Sequence, residues 1–316
     1  MSSLIEQAAA RLEQLRRAGV DLADAALKQR PPSLPLAATR ETAGSKRARD
    51  GSDEGPTSKC IELDLHAIAA SGIVTPNAAR SRVADQYRVV KRPLIANAVE
   101  KGAIGVKHSN LIMVTSALAG EGKSFTAINL AMSIATELDH TVMLVDADVA
   151  RPSVPRMLGF TSGAGLLDIL ESSADMSSVL LRTNVEKLTL LPSGTPHPRA
   201  TELLASDAMS QLLDEIATRY ADRIIIFDSP PLLLTTEARA LATHMGQIVM
   251  VVQANKTLQS DVQHALSTIE HCPIRLMLLN QARIDAKTGY AYGYGYGYGY
   301  GYGHGYGHEE SQAKTA

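Results

Sequence analysis

Only two cysteines, Cys60 and Cys272, occur in the 316 residues, one in a stretch that reads as linker and one in the body of the chain. They cannot form the disulfide framework of a small secreted domain, and they point to a reducing compartment. Net charge is equally scarce, with 31 Lys and Arg against 33 Asp and Glu and a formal charge of −2. That balance offers no general attraction for nucleic acid or an anionic membrane, so neither is expected as the main partner. No apolar run reaches the roughly 18–20 residues needed to cross a bilayer. The opening MSSLIEQAAARLEQLRRAGV lacks the basic and then apolar segments of a secretory signal. The expectation is a cytoplasmic protein whose attachment to any membrane must come through a partner.

What is present divides into four stretches. In residues 1–28, Leu4, Ile5, Ala8, Leu12 and Leu15 fall near one face of a helix over 3–18, with Glu6, Arg11, Glu13, Arg16 and Arg17 on the others. So short a helix needs its apolar stripe docked, either on its own domain or on a partner. Residues 29–60, rich in Pro, Ser, Gly and mixed charge, predict a disordered linker. From residue 61 order returns, with a helix over 76–100. Strand-like runs at 111–115, 142–146, 188–192, 224–228, 248–252 and 275–279 then alternate with helical stretches at 123–138, 200–220, 235–244 and 257–271. Strands apolar on both faces, spaced by helix-length segments, predict an α/β fold over 61–285, a parallel β-sheet sandwiched by helices. Residues 286–316 form the fourth stretch.

Directly after the first run comes Ala117-Leu118-Ala119-Gly120-Glu121-Gly122-Lys123-Ser124. It matches the phosphate-binding loop G-x-x-x-x-G-K-[ST] with alanine at the first glycine position. Small residues let backbone N–H groups turn toward phosphate oxygens, and the helix N-terminus that follows favours anions. Gly120, Glu121, Gly122, Lys123, Ser124 and Phe125 are the expected nucleotide-binding residues, with Lys123 on the β- and γ-phosphates and Ser124 on Mg²⁺. The second run ends Leu144-Val145-Asp146-Ala147-Asp148, two carboxylates at the sheet edge where α/β ligands bind. They would hold a magnesium water shell or accept a proton from an attacking hydroxyl. The fourth run, Ile224-Ile225-Ile226-Phe227-Asp228-Ser229-Pro230-Pro231, delivers a metal-linked aspartate at its end. The two prolines stiffen the loop and stop a helix there. The expected catalytic set is Lys123, Asp146, Asp148 and Asp228, and the metal set Ser124, Asp146 and Asp228.

Residues 290–307 read YAYGYGYGYGYGYGHGYG and hold eight of the ten tyrosines: Tyr290, Tyr292, Tyr294, Tyr296, Tyr298, Tyr300, Tyr302 and Tyr306. A stretch this rich in glycine cannot bury a core that offsets its ordering entropy, which predicts a flexible tail. From Asp285 to Tyr298 the extended chain spans on the order of 45 Å, enough to reach a neighbouring subunit. Phenols tethered beside a phosphate-binding loop point to an enzyme that phosphorylates its own tail. The plain alternative is an adhesive tail on an unrelated ATPase. His304 and His308, with no acidic or cysteine partner at fixed spacing, do not make a metal site.

Together, Ala117–Ser124, the Asp146/Asp148 pair, Asp228-Ser229-Pro230-Pro231 and the terminal tyrosines resemble the bacterial protein-tyrosine kinases that govern exopolysaccharide synthesis. The likeness is to the stand-alone kinases encoded with exosortase-type systems, and it runs over about residues 76–306. It implies a P-loop NTPase of the MinD/ParA-like, deviant Walker type, in which the three motifs are Walker A, A′ and B. It also implies ATP and Mg²⁺ as cofactors and autophosphorylation of the eight tail tyrosines. The implied partners are further copies of the chain in a homo-oligomer such as a ring, a membrane-embedded polysaccharide chain-length regulator as activator, and a protein-tyrosine phosphatase. The location would be cytoplasmic and peripheral to the inner membrane.

Asp85, Arg88 and Lys91 stand where that family has an acidic–x–x–Arg–x–x–basic subunit contact. The alternative is a solvated helix face with i,i+3 ion pairs, and lysine lacks the bidentate fork of arginine. Ala150 stands where the A′ motif usually has arginine, with Arg151 next to it. Leu118 stands where positioning ATPases of the same fold carry a signature lysine. Its absence disfavours a MinD/ParA-like switch without kinase activity; a scaffold with an adhesive tail is the third reading. Asn280 is either an adenine-recognising residue or a cap or turn residue.

Overall fold

Leu111 and Met113 belong to one apolar core of the protein, while Ile112 and Val114 belong to another. The same period-two split separates Met143 and Val145 from Val142 and Leu144, Ile225 and Phe227 from Ile224 and Ile226, and Ile248 and Met250 from Val249 and Val251. These runs are apolar throughout because each face of the sheet is buried under its own helices.

The computed structural model describes residues 58–76, 80–99, 106–219 and 223–282. The helix expected over 3–18, the linker up to residue 57, and the tail with its eight tyrosines, His304 and His308 lie outside the described residues. In chain order the elements are β1 (Lys59–Ile61), α1 (Leu65–Ala70), α2 (Arg82–Val99), β2 (Leu111–Ser116), α3 (Lys123–Ile134) and β3 (Thr141–Asp146). Then come α4 (Val154–Leu158), α5 (Leu166–Leu170), α6 (Met176–Val179), β4 (Leu181–Thr183), β5 (Leu188–Leu191) and α7 (Ala200–Leu204). The described chain ends with α8 (Asp207–Arg219), β6 (Arg223–Asp228), α9 (Thr236–Ala242), β7 (Gln247–Gln253), α10 (Gln259–Ser267) and β8 (Ile274–Asn280).

The strands form one sheet in the order β1-β4-β5-β3-β6-β2-β7-β8. Helices α1 to α4 supply Ile68, Leu94, Ile128 and Leu158 to one core; α5 to α10 supply Leu166, Val179, Leu204, Met209, Ala238 and Ala265 to the other. The sandwich expected from the sequence is therefore the observed one, with one departure. Strand β4 runs antiparallel to β5, and β1 adds in parallel beyond it. Both are three residues long, too short for a periodic signal. The linker expected over 29–60 accordingly gives up Lys59 and Cys60 to β1. Asn184 fastens this edge: its side chain accepts from Leu63 N–H at 3.1 Å and donates to the Leu63 carbonyl at 3.0 Å.

Helix ends differ from expectation for local reasons. The stretch over 200–220 breaks into α7 and α8 because the Ser206 hydroxyl accepts the Met209 N–H at 3.2 Å and starts a new helix. Helix α2 starts at Arg82, not at residue 76, with the Ser81 hydroxyl accepting the Ala84 N–H at 3.1 Å.

One residue of the expected subunit contact is misplaced. Asp85 and Arg88 lie on the exposed side of α2 and pair at 2.8 Å, with Arg80 also 3.0 Å from Asp85. Lys91 points the other way and is 1% exposed. Its ammonium sits 2.6 Å from Glu137, donates to the Ser133 carbonyl, and reaches the Thr136 hydroxyl at 3.2 Å. Lys91 thus ties α2 to the C-terminal end of α3, where a cation meets the last carbonyls favourably. It is engaged inside its own chain, where it joins α2 to α3 in place of the expected subunit contact. The outward basic side chain at this end of α2 is Arg92, which shares Glu137 at 3.2 Å.

Burial pushes the Lys91 pKa down, and Glu137 opposes that shift. Removing the acid leaves a buried ammonium without its counter-charge. Glu137→Ala is expected to lower unfolding free energy by about 3 kcal/mol. Adding Lys91→Met should recover most of the loss, because an apolar chain then fills the site. Urea denaturation of the two variants checks this; a double variant as unstable as the single one contradicts it.

Candidate functional site

Strands β3, β6, β2 and β7 are successive neighbours in the sheet, so residues just past their C-terminal ends meet. Asp146 and Asp228 are register partners at the ends of β3 and β6. Val114 of β2 is level with Asp228, which brings the loop after β2 over the same edge. Parallel register is what gathers three motifs that lie far apart in sequence.

The loop between β2 and α3 turns at Gly120 and Gly122, with φ of +86° and +95°. Both values lie in the left-handed region that favours glycine. At Gly122 a second constraint applies, since a Cβ would fall 2.1 Å from the Asn280 side-chain nitrogen. Ala117, at the first loop position, is fully buried in the core on the α5–α10 side, so its methyl group fits where the motif usually has glycine. Lys123 and Ser124 open α3, where the first backbone N–H groups have no intrahelical partner and face outward for an anion.

Around this loop three carboxylates meet one ammonium. Lys123 Nζ lies 2.6 Å from Asp148 and 3.9 Å from Asp228. Burial works against its charge, but Asp228 and Asp148 outweigh that and hold its pKa above the ordinary lysine value. Asp146 is buried beside Asp228 and Asp148, and burial first and like charge second raise its pKa to about 7. The Val154 N–H, donating to Asp146 at 3.1 Å, only partly offsets this. Burial likewise lifts Asp228 to about 6 against the pull of Lys123. Asp148 also accepts the Arg151 N–H at 3.2 Å, and the Ser153 hydroxyl donates to Asp228 at 3.4 Å.

Two buried oxygens, Asp146 Oδ1 and Asp228 Oδ1, accept no hydrogen bond among the described residues. Bare carboxylate oxygens held side by side with charge to spare suit a hard divalent cation. The donor set therefore fits Mg²⁺, and Asp146, Asp228 and Ser124 are the residues that would hold it.

Several expected site residues have other roles in this geometry. The Glu121 carboxylate turns inward and is 3% exposed, leaving only its backbone for a phosphate. Phe125 packs against the core on the α1–α4 side. Arg151 contributes its backbone N–H to Asp148. The Asn280 side chain donates to the Glu121 carbonyl at 2.9 Å and so braces the loop. Ser153 and Thr257 were missed: nothing in their sequence surroundings signals a role, and only the fold brings them to this edge. The last described residues follow β8, with the Gln281 side chain donating to the Gly120 carbonyl at 3.5 Å. The described chain thus ends at the rim of the phosphate loop.

The ParA family profile, described as NUBPL iron-transfer P-loop NTPase, matches residues 107–279, more than half of the chain. Tyrosine-protein kinase YwqD of Bacillus subtilis (strain 168) is 29% identical over 215 residues, 67% of this chain and 87% of YwqD. Tyrosine-protein kinase CpsD of Streptococcus agalactiae is 33% identical over 166 residues, 52% of this chain and 71% of CpsD. The chain belongs to the bacterial tyrosine-protein kinases. The kinase also aligns with the solved kinase domain of VpsO at a TM-score of 0.51 and 27% identity, covering 62% of this chain and 100% of that one. Some curated relatives of the kinase extend far beyond the match, which spans 22% of one of them. No helix of the kinase among the described residues is long and apolar enough to cross a membrane.

The raised carboxylates make stability depend on pH in a defined sense. Asp146 and Asp228 hold protons in the folded kinase up to about pH 7 and 6, whereas unfolded aspartates lose them near pH 3.9. Their stabilising contribution is complete below the unfolded value and is lost as pH rises through the folded ones. The metal-free kinase should therefore lose stability from these groups between about pH 4 and 7. Asp146→Asn, which stays neutral, should be more stable than wild type at pH 8 and close to it at pH 4. Denaturation midpoints at the two pH values test this, and equal midpoints at pH 8 would contradict it.

Proposed function

We propose that this kinase moves the terminal phosphoryl group of ATP onto tyrosines of its own tail, and by doing so regulates exopolysaccharide synthesis or export. The observation that supports it best is the convergence of Lys123 with Asp146, Asp148 and Asp228 at the phosphate loop, beside which the described chain ends. The assigned acceptors are Tyr290, Tyr292, Tyr294, Tyr296, Tyr298, Tyr300, Tyr302 and Tyr306. On this reading residues 61–285 are the kinase domain and 286–316 its substrate, preceded by the amphipathic segment 1–28 and the linker 29–60.

Phosphoryl transfer asks the protein mainly for positioning and charge neutralisation. In the free site Lys123 is paired with Asp148. As nucleotide enters, Lys123 exchanges that carboxylate for phosphate oxygens, which frees Asp148. A tyrosine hydroxyl has a pKa of about 10, so a base must take its proton as the new bond forms. Asp148 accepts that proton, the phenol oxygen bonds to the γ-phosphorus, and the bond to the ADP oxygen breaks. Magnesium, when bound, supplies neutralisation of the charge that builds on the transferring group. Asp146, Asp228 and Ser124 would hold the ion, the first two through oxygens that accept no hydrogen bond among the described residues.

Each phosphotyrosine adds roughly −1.5 to −2 charge, so eight would give the tail about −12 to −16. Chains associated through their tails should then repel one another and separate. Further copies of the chain, a membrane-embedded chain-length regulator that activates it, and a phosphatase that resets it complete the proposed cycle at the inner membrane. Support for these partners is the family resemblance.

Incubation with ATP and Mg²⁺ should yield phosphotyrosine confined to the C-terminal peptide, read by mass spectrometry. Lys123→Met should lower it by about 100-fold or more. ATP hydrolysis without tyrosine labelling would support an ATPase switch instead, and neither activity would support a scaffold. Light scattering should show lower mass after phosphorylation; full tail modification at unchanged mass would reject the dissociation cycle.

A further inference from the structure

Glu121 is the one acidic residue of the phosphate loop, a place where a free carboxylate would repel the ligand. Its side chain is held away from that space by two hydrogen bonds. One oxygen accepts the Leu118 N–H at 2.7 Å, which staples the first half of the loop to the second. The other accepts the hydroxyl of Thr257. Thr257 belongs to the segment between β7 and α10, and its oxygen in turn accepts the Gln253 N–H at 3.0 Å. That segment includes Asn255 in the left-handed region at φ +58°, so its path is sharply bent. The Asn280 donation to the Glu121 carbonyl adds a second tie from the same side.

The sheet order gives these contacts a direction. β3 and β6, which carry the aspartates, lie on one side of β2, and β7 and β8 lie on the other. A nucleotide whose terminal phosphate faces the aspartates is left with the β7–β8 side for its sugar and base. The Glu121–Thr257 contact therefore joins the phosphate-binding half of the pocket to the base-side half.

We infer that Glu121 and Thr257 are positioning residues, a clasp that keeps the loop in its nucleotide-receiving shape and so sets affinity for ATP and ADP alike, without touching the transfer step. This rests on the loop being the nucleotide site of the proposed kinase. Losing the Thr257 hydroxyl leaves a buried carboxylate with one acceptor unmet, and such a group turns toward whatever space can solvate it. The space available is the phosphate pocket, where its charge opposes the ligand.

The test uses the full chain with Thr257→Val and Thr257→Ser. Equilibrium binding of a fluorescent ADP and of ATP is measured alongside single-turnover tail phosphorylation at saturating ATP and thermal melting. For Thr257→Val, both dissociation constants should rise by about tenfold, the loss of one hydrogen bond to a charged group. The transfer rate at saturation should stay within about twofold of wild type. Thr257→Ser, which keeps the hydroxyl, should restore affinity to within about threefold. Unchanged ADP and ATP binding in Thr257→Val overturns the inference. So does a fall in the saturated transfer rate at unchanged affinity. If wild type binds ADP but phosphorylates no tyrosine, the kinase proposal fails while the ADP comparison still decides the clasp.

Discussion

One ammonium, Lys123, keeps three buried carboxylates together that would otherwise repel one another. The arrangement is imposed from below by strand register, since β3 and β6 pair in parallel and set Asp146 opposite Asp228 whatever their charges prefer. Burial first, with like charge added, raises the Asp146 and Asp228 pKa values, so charge on this pair is unfavourable without a ligand. Lys123 cannot satisfy Asp148 and a phosphate at once. When it turns to a nucleotide it leaves the carboxylates uncompensated, so a cation and a nucleotide relieve the site together far better than either alone. On the proposed function, coupled binding of metal and nucleotide therefore follows from the apolar sheet that fixes the aspartates.

The same sheet explains how the phosphate loop is held. On the aspartate side the loop meets charge, and on the β7–β8 side it meets neutral donors and acceptors from Thr257, Asn280 and Gln281. Gly122 has to be glycine for both its φ and its contact with Asn280. The loop is therefore shaped from one side and used from the other. This division lets Glu121 sit in an anion-binding turn without opposing the anion.

How much could be read in advance depended on whether the signal was local. The central strands were legible because a strand buried on both faces is apolar along its whole length, as β2, β3, β6 and β7 are. The edge strand β8, by contrast, is apolar although Met277 and Leu279 are exposed. The motif residues at strand ends were legible because small and charged residues interrupt those runs abruptly. Strands β1 and β4 carried no such signal, being three residues each. Lys91 failed for a geometric reason. Steps of three residues precess around a helix by about 60° each, so Asp85, Arg88 and Lys91 span an arc of about 120°. The third member rotates into the packing between α2 and α3, while Arg92, seven residues from Asp85, returns to the outer stripe within about 20°. Glu121 was read as a phosphate ligand because a motif cannot distinguish a position that works through its backbone from one that works through its side chain. Thr257 could not be found at all: it lies 136 residues from Glu121, and only the neighbouring of β2 and β7 brings them together.

On the proposed reaction, the charges that assemble the site also clear it. A neutral phenol meets no penalty on approaching three aspartates, and while nucleotide and metal are bound the cation and Lys123 offset part of the local negative charge. After transfer the tail carries roughly −1.5 to −2 more charge at the modified residue. Once ADP and the cation leave, Lys123 can return to Asp148, and the phosphotyrosine then faces a carboxylate cluster with no free counter-charge among its described contacts. Repulsion at close range in a poorly solvated pocket acts strongly. An unmodified tyrosine from the same tail meets none of it, so the pocket favours entry of a fresh acceptor over retention of a used one.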